Sequence, residues 1–112
     1  MRHRIGAAAS IALWVLQPWS AFAADLFASG DQARELCSRS QEWCVGFVTG
    51  ALDGWAALEA YYTGETFCLP ADLTTGRIVE IFVQELEQRP EPRDAPAAYV
   101  LYERLIELFP CK

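Results

Sequence analysis

The residues with the most chemistry to offer are four cysteines, Cys37, Cys44, Cys68 and Cys111. Thiolates bind zinc, act as nucleophiles, exchange electrons or pair as disulfides, and spacing separates these uses. Four-cysteine zinc sites come as two close knuckles, whereas the gaps here are 7, 24 and 43 residues. No C-x-x-C pair is present, so the usual redox-active arrangement is missing. The one histidine, His3, stands at the head of the chain. Past it there is no imidazole to serve as general base or metal ligand. There is also no G-x-S-x-G turn and no phosphate-binding glycine loop. No catalytic residue, metal or cofactor is expected, and a carboxylate pair is the only acid–base chemistry left open.

His3 lies between Arg2 and Arg4, ahead of an apolar run from Ile5 to Leu16. Gln17, Pro18 and Ser20 end the run, and Ala21-Phe22-Ala23 has the small-x-small pattern of a cleavage site. This is the layout of a secretory signal peptide over residues 1–23, cut before Ala24. An uncleaved anchor from Ile5 to Ala24 would barely span a bilayer and would bury Gln17 and Pro18. The expectation is one domain, residues 24–112, in the bacterial periplasm and with no membrane attachment after cleavage. That domain keeps all four cysteines, no histidine, seven basic and fifteen acidic residues, for a net charge of −8. Such a charge excludes nucleic acid as a partner, because phosphate counterions are displaced by a basic face.

An exported domain of this size with an even cysteine count reads as disulfide-bonded. It buries only about 60–65% of its surface, so cross-links matter. The strand signals of period-2 alternation and tight hairpin turns are missing, and helical spacing prevails. The expected fold is all-α: a small, disulfide-stabilised bundle of about four helices. A short first helix covers Asp31 to Cys37, capped by Ser29. The second runs from Gln41 to Tyr62, with Ser38 and Gln41 at capping-box spacing and Gly64 as a stop. Its apolar stripe is Cys44, Phe47, Val48, Ala51, Leu52, Trp55, Leu58 and Tyr62. A third helix spans Thr74 to Gln88, with Ile78, Phe82 and Leu86 inside and Glu80, Gln84 and Glu87 outside. After a proline-broken turn, Arg89 to Arg93, Asp94 caps a fourth helix with Pro96 in its first turn. Ala98, Leu101, Leu105 and Leu108 form its inner stripe, and Pro110 ends it.

Helices three and four are each about 21–22 Å long and joined by a short turn, so they form an antiparallel pair. Cys111 then returns to the end where Cys68 sits, while Cys37 and Cys44 flank the join of helices one and two. This favours Cys37–Cys44 and Cys68–Cys111. Pairing Cys44 with Cys68 is strained: eighteen helical residues travel about 27 Å. Six extended residues return at most about 21 Å. Gly46, Gly50 and Gly54 repeat at four within the second helix. They open a groove for close helix packing, either against a neighbouring helix of the chain or against a second copy.

In order along the chain, Trp43-Cys44-Val45-Gly46-Phe47-Val48-Thr49-Gly50-Ala51-Leu52-Asp53, Phe67-Cys68-Leu69-Pro70, the turn from Glu87 to Ala97 and Leu108-Phe109-Pro110-Cys111 resemble the blocks of the Rap/Tai family of type VI secretion immunity proteins. The likeness spans about Leu36 to Cys111; Phe47 stands where the family usually has tyrosine. It implies an exported all-α protein that binds a cognate effector, in several members a peptidoglycan amidase whose active site is covered, often by a homodimer. The matched blocks are scaffold, so the resemblance carries no contact residue. From the residues alone, Tyr61, Tyr62 and Glu65 at the end of the longest helix, and Arg89, Glu91 and Arg93 in the proline turn, are candidate partner contacts. The competing function is a small periplasmic chaperone or stress protein of disulfide-bonded helical type.

Overall fold

Serine and threonine side chains start three of the four helices. In α1 (Gly30–Arg39), Ser29 accepts from the Gln32 backbone N–H, and the Gln32 side chain accepts from the Ser29 N–H in return. That is a full capping box. Ser40 caps α2 (Gln41–Tyr61) by accepting from the Trp43 N–H. Thr74 does the same for α3 (Thr75–Gln88) through the Arg77 N–H. Each such cap contributes about 1 kcal/mol. The fourth helix is α4 (Ala97–Leu108). The computed structural model describes residues 27–62, 64–89 and 94–112. The expected leader, residues 1–23, lies outside them, as do Glu91 and Arg93. Among the described residues there are four helices and no strand beyond one isolated bridge between Ser29 and Pro96.

Two expected caps are corrected. Ser38 does not open α2; it lies inside α1, its hydroxyl donating to the Glu35 carbonyl at 2.7 Å. A serine inside a helix back-bonds to an upstream carbonyl in this way, and Ser40, in the extended conformation, takes the cap instead. Asp94 does not cap α4. Pro96 occupies that position, with no side-chain cap. Instead the chain ahead of α1 satisfies the helix start: the Ala97 N–H donates to the Ala28 carbonyl at 2.8 Å, and the Gly30 N–H to the Ala95 carbonyl at 2.9 Å. The two segments cap each other across most of the sequence.

The core sits where α1, α3 and α4 meet the first half of α2. Phe82, Leu101, Leu105, Val48 and Cys44 are its largest fully buried side chains. The inner stripe of α4 is Ala97, Leu101 and Leu105; Ala98 is only half-buried and Leu108 is exposed, contrary to the expected set. Ile81 of α3 is buried as well, which the simple four-residue repeat missed. Burying each large aliphatic side chain contributes about 1.5–3 kcal/mol. Stacked rings of Trp43, Phe47 and Phe82 join α2 to α3, at centroid distances of 5.1 and 5.5 Å.

Two disulfides tie this body together. Cys37 pairs with Cys44 across the α1–α2 join, and Cys68 pairs with Cys111. These are the two pairs that helix length favoured. The second link is reinforced by the Cys68 N–H donating to the Phe109 carbonyl at 2.8 Å. At the far end of α3, Glu85 accepts Arg89 at 3.2 Å and Arg104 at 3.4 Å, while Glu107 takes both arginines as well. Hydrogen bonding to Arg89, helped by Arg104, holds the Glu107 carboxyl below the usual glutamate range.

Candidate interaction surface at the end of the longest helix

The apolar stripe of α2 meets two different fates. Cys44 and Val48 are fully buried, and Phe47, Ala51, Leu52 and Trp55 pack partly against the core. The same stripe continues to Leu58 and Tyr62, which are 51% and 71% exposed, and Tyr61 beside them is 87% exposed. The reason is length. α2 has 21 residues, against 14 in α3 and 12 in α4. Seven residues of helix are about 10 Å, so the end of α2 outruns its neighbours. The tyrosines do not close over the core; their rings lie 6.5 Å apart on the outside.

Beneath this end lie two adjoining hollows that share Trp55 and Glu59. One, of about 240 Å³, is lined by Leu52, Trp55, Ala56, Glu59, Phe67 and Leu69. The other, of about 220 Å³, is bounded by Trp55, Leu58, Glu59, Tyr62, Gly64 and Thr66. Phe67 is buried and stacks on Trp55 at 5.4 Å, and Tyr102 of α4 packs against Trp55 at 4.4 Å. Tyr102 is held in turn by donating its hydroxyl to the Ala51 carbonyl at 2.6 Å. Burial pushes its phenol pKa up. Glu59 accepts the Thr66 N–H at 3.2 Å, tethering the loop that forms the outer wall. Gly64 gives that loop its bend with φ +132°, a conformation only glycine adopts freely. The indole N–H of Trp55 is buried and meets no acceptor among the described residues.

The electrostatics of this region are one-sided. Between Arg39 and Arg77 there is no lysine, arginine or histidine, whereas Glu42, Asp53, Glu59, Glu65 and Asp72 all fall there. The stretch comprises all of α2 and the loop to α3. Glu65 is exposed, with Oε2 2.9 Å from Cys68 Sγ. Glu65, Cys68 and Cys111 cluster closely, but both sulfurs are consumed by the disulfide and offer no thiolate to a cation. Asp53 is exposed.

The remaining candidates are elsewhere. Gly46, Gly50 and Gly54 do not pack against another of the described helices: all three are exposed, and a Cβ at any of them would meet nothing within 4 Å. They line a face of α2 distinct from the hollows. Arg89 is engaged with Glu85 and Glu107 rather than projecting freely. Glu91 and Arg93 lie outside the described residues. Of the candidates expected from sequence, Tyr62 lines the second hollow, Tyr61 is exposed beside it and Glu65 lies against Cys68; Trp55, Glu59, Phe67 and Ala56 were not singled out as one surface. The signal available was the unequal helix length, which leaves part of an apolar stripe without a cover.

No helix among the described residues is long and apolar enough to cross a membrane. The sequence profile of the Rap1a immunity proteins matches residues 29–111, from the α1 cap to the last cysteine. No curated protein and no solved structure matches the chain. The chain belongs to the Rap1a immunity protein family. Its role is that of a type VI secretion immunity protein, and such a protein binds a cognate effector.

Proposed function

We propose that this chain is a periplasmic immunity protein that neutralises a peptidoglycan amidase effector by covering its active site, using the uncovered end of α2. The observation that carries this is the exposed set Leu58, Tyr61 and Tyr62 beside an apolar, acid-rimmed groove. Exposed tyrosines next to hollows are the residues that anchor protein interfaces. An acidic surface also speeds encounter with a basic partner. The amidase assignment is supported by the family resemblance, and the periplasm by the signal-peptide pattern of residues 1–23. No residue takes a catalytic role in this reading; the protein acts as an inhibitor.

The reading includes a homodimer. Three glycines cost the interior of α2 about 3 kcal/mol relative to alanine. Nothing among the described residues uses the space they leave. A second copy approaching along Gly46, Gly50 and Gly54 would. Co-expression tests the function. A candidate peptidoglycan amidase effector is exported to the periplasm with and without the immunity protein. Survival with it, and lysis without it, is expected. Unchanged toxicity and no isolable complex would refute the assignment for that pair.

A further inference from the structure

We infer that the groove between Trp55, Glu59 and Phe67 is the specificity pocket for one arginine or lysine side chain of the protein partner. The inference rests on the immunity reading and adds the chemistry of what docks. Each hollow is smaller than the roughly 300 Å³ at which small-molecule sites begin. Their volumes of about 240 and 220 Å³ suit single side chains rather than a whole ligand. The walls are apolar and aromatic: Leu52, Ala56, Phe67 and Leu69 form one, and Trp55 divides the two. An aliphatic stem fits such walls, as lysine and arginine stems do when they bury themselves and leave the head group outside.

The head group is fixed by charge. Glu59 stands in both hollows and spends one carboxylate oxygen on the Thr66 N–H. None of the described ion pairs involves Glu59. No cation occurs anywhere in the sequence from residue 40 to 76, so none on α2 or its loop competes for it. A guanidinium or ammonium laid over Trp55 gains the ring's negative face as well as the carboxylate. An acidic knob would face Glu59 with a like charge, and a neutral one would leave the carboxylate's charge uncompensated in a drying interface. The site is thus selective for a cationic side chain with a long apolar stem.

The test uses the full-length protein processed in the periplasm and, as probe, the amidase effector that it protects against in co-expression, with affinity read by calorimetry at two salt concentrations. Glu59→Gln keeps an acceptor for Thr66 and removes only the charge. It is expected to weaken binding at least tenfold and to flatten the salt dependence, since truncating one member of a desolvated charge pair has effects of that order. Ala56→Trp fills the first hollow from an exposed helix position and is expected to weaken binding further while the thermal melt is unchanged. Glu42→Gln removes the same charge about 25 Å away along α2 and is expected to leave affinity within twofold. On the effector, replacing one arginine or lysine by methionine should reproduce the Glu59→Gln loss, and combining the two should add little. Wild-type affinity in both Glu59→Gln and Ala56→Trp would overturn the pocket and leave the immunity reading standing. Absence of any complex with the wild-type protein would overturn both.

Discussion

The two halves of α2 have the same helical spacing of apolar residues and opposite surroundings. From Cys44 to Leu52 the stripe is pinned by a disulfide, stacked on Phe82 and sealed by α1 and α3. From Leu58 to Tyr62 the stripe continues with Leu58 half exposed and Tyr61 and Tyr62 mostly exposed. A periodic pattern states which residues share a face. It does not state whether that face has a cover, because the cover comes from elements distant in sequence. In this protein the first half of α2 is built into the core, and the second half is left exposed.

The sharpest way to break this comparison is to truncate one residue on each side. Phe82→Ala removes the ring that seals the first half and should cost about 3–5 kcal/mol in urea unfolding. That is much of the total stability of a domain this size. Leu58→Ala, on the uncovered half, should change stability by less than about 0.5 kcal/mol. A loss of several kcal/mol at Leu58 would mean the end of α2 is covered after all.

The two disulfides extend the contrast. The Cys68–Cys111 link closes 43 residues and the Cys37–Cys44 link only 7. Loop-closure entropy then assigns about 4 kcal/mol to the first and about 2 kcal/mol to the second. Replacing each pair with alanine and comparing melting midpoints checks the order. The long link also holds Phe67 and Leu69 under Trp55, so its removal should loosen the groove while the first half of α2 stays protected.

Gly50→Ala separates folding from assembly at a smaller scale. With open space around the glycine, alanine should stabilise the monomer by about 1 kcal/mol through helix propensity. Gly50→Leu should leave the monomer folded and abolish a glycine-face dimer, as read by light scattering. An unchanged dimer would remove that face from the assembly.

The pH dependence gives the smallest effects. Glu107 is held below the ordinary range by Arg89 and Arg104. Its contribution is therefore complete above the unfolded glutamate pKa of about 4.3 and is lost as pH falls through the lower folded value. Glu107→Gln should flatten the acid side of the stability curve in that window. Tyr102 has the opposite sign: burial raises its pKa, so its contribution is complete below about pH 10 and declines as pH rises beyond that. Tyr102→Phe should flatten the alkaline side and cost about 0.5–1.5 kcal/mol for the bond to Ala51.

Most of the fold was legible because its signals are local. Ser29 before α1, Thr74 before α3 and the steps of four through Ile78, Phe82 and Leu86 each report their own element. The two cysteine pairs followed from the matched lengths and antiparallel turn of α3 and α4 and from the join of α1 and α2, which Cys37 and Cys44 flank. What failed was non-local. Asp94 carries the right chemistry for a cap, but Ala28 reaches Ala97 from the opposite end of the chain. The glycine stripe signals close approach in any context, and only the surroundings reveal that none of the described helices lies there. The candidate surface was half legible. Tyr61 and Tyr62 stood out by type, whereas Trp55, Glu59 and Phe67 come together only when the loop tethered by Thr66 folds back onto α2.

The claim that one half of α2 folds the protein and the other binds its partner is tested most directly by amide hydrogen exchange. Exchange is compared with and without the effector that it neutralises. The account predicts new protection confined to the last two turns of α2 and the loop through Leu69, with no change around Cys44 and Val48. Protection that leaves the end of α2 untouched, and falls instead on the α3–α4 turn or on α1, would contradict it.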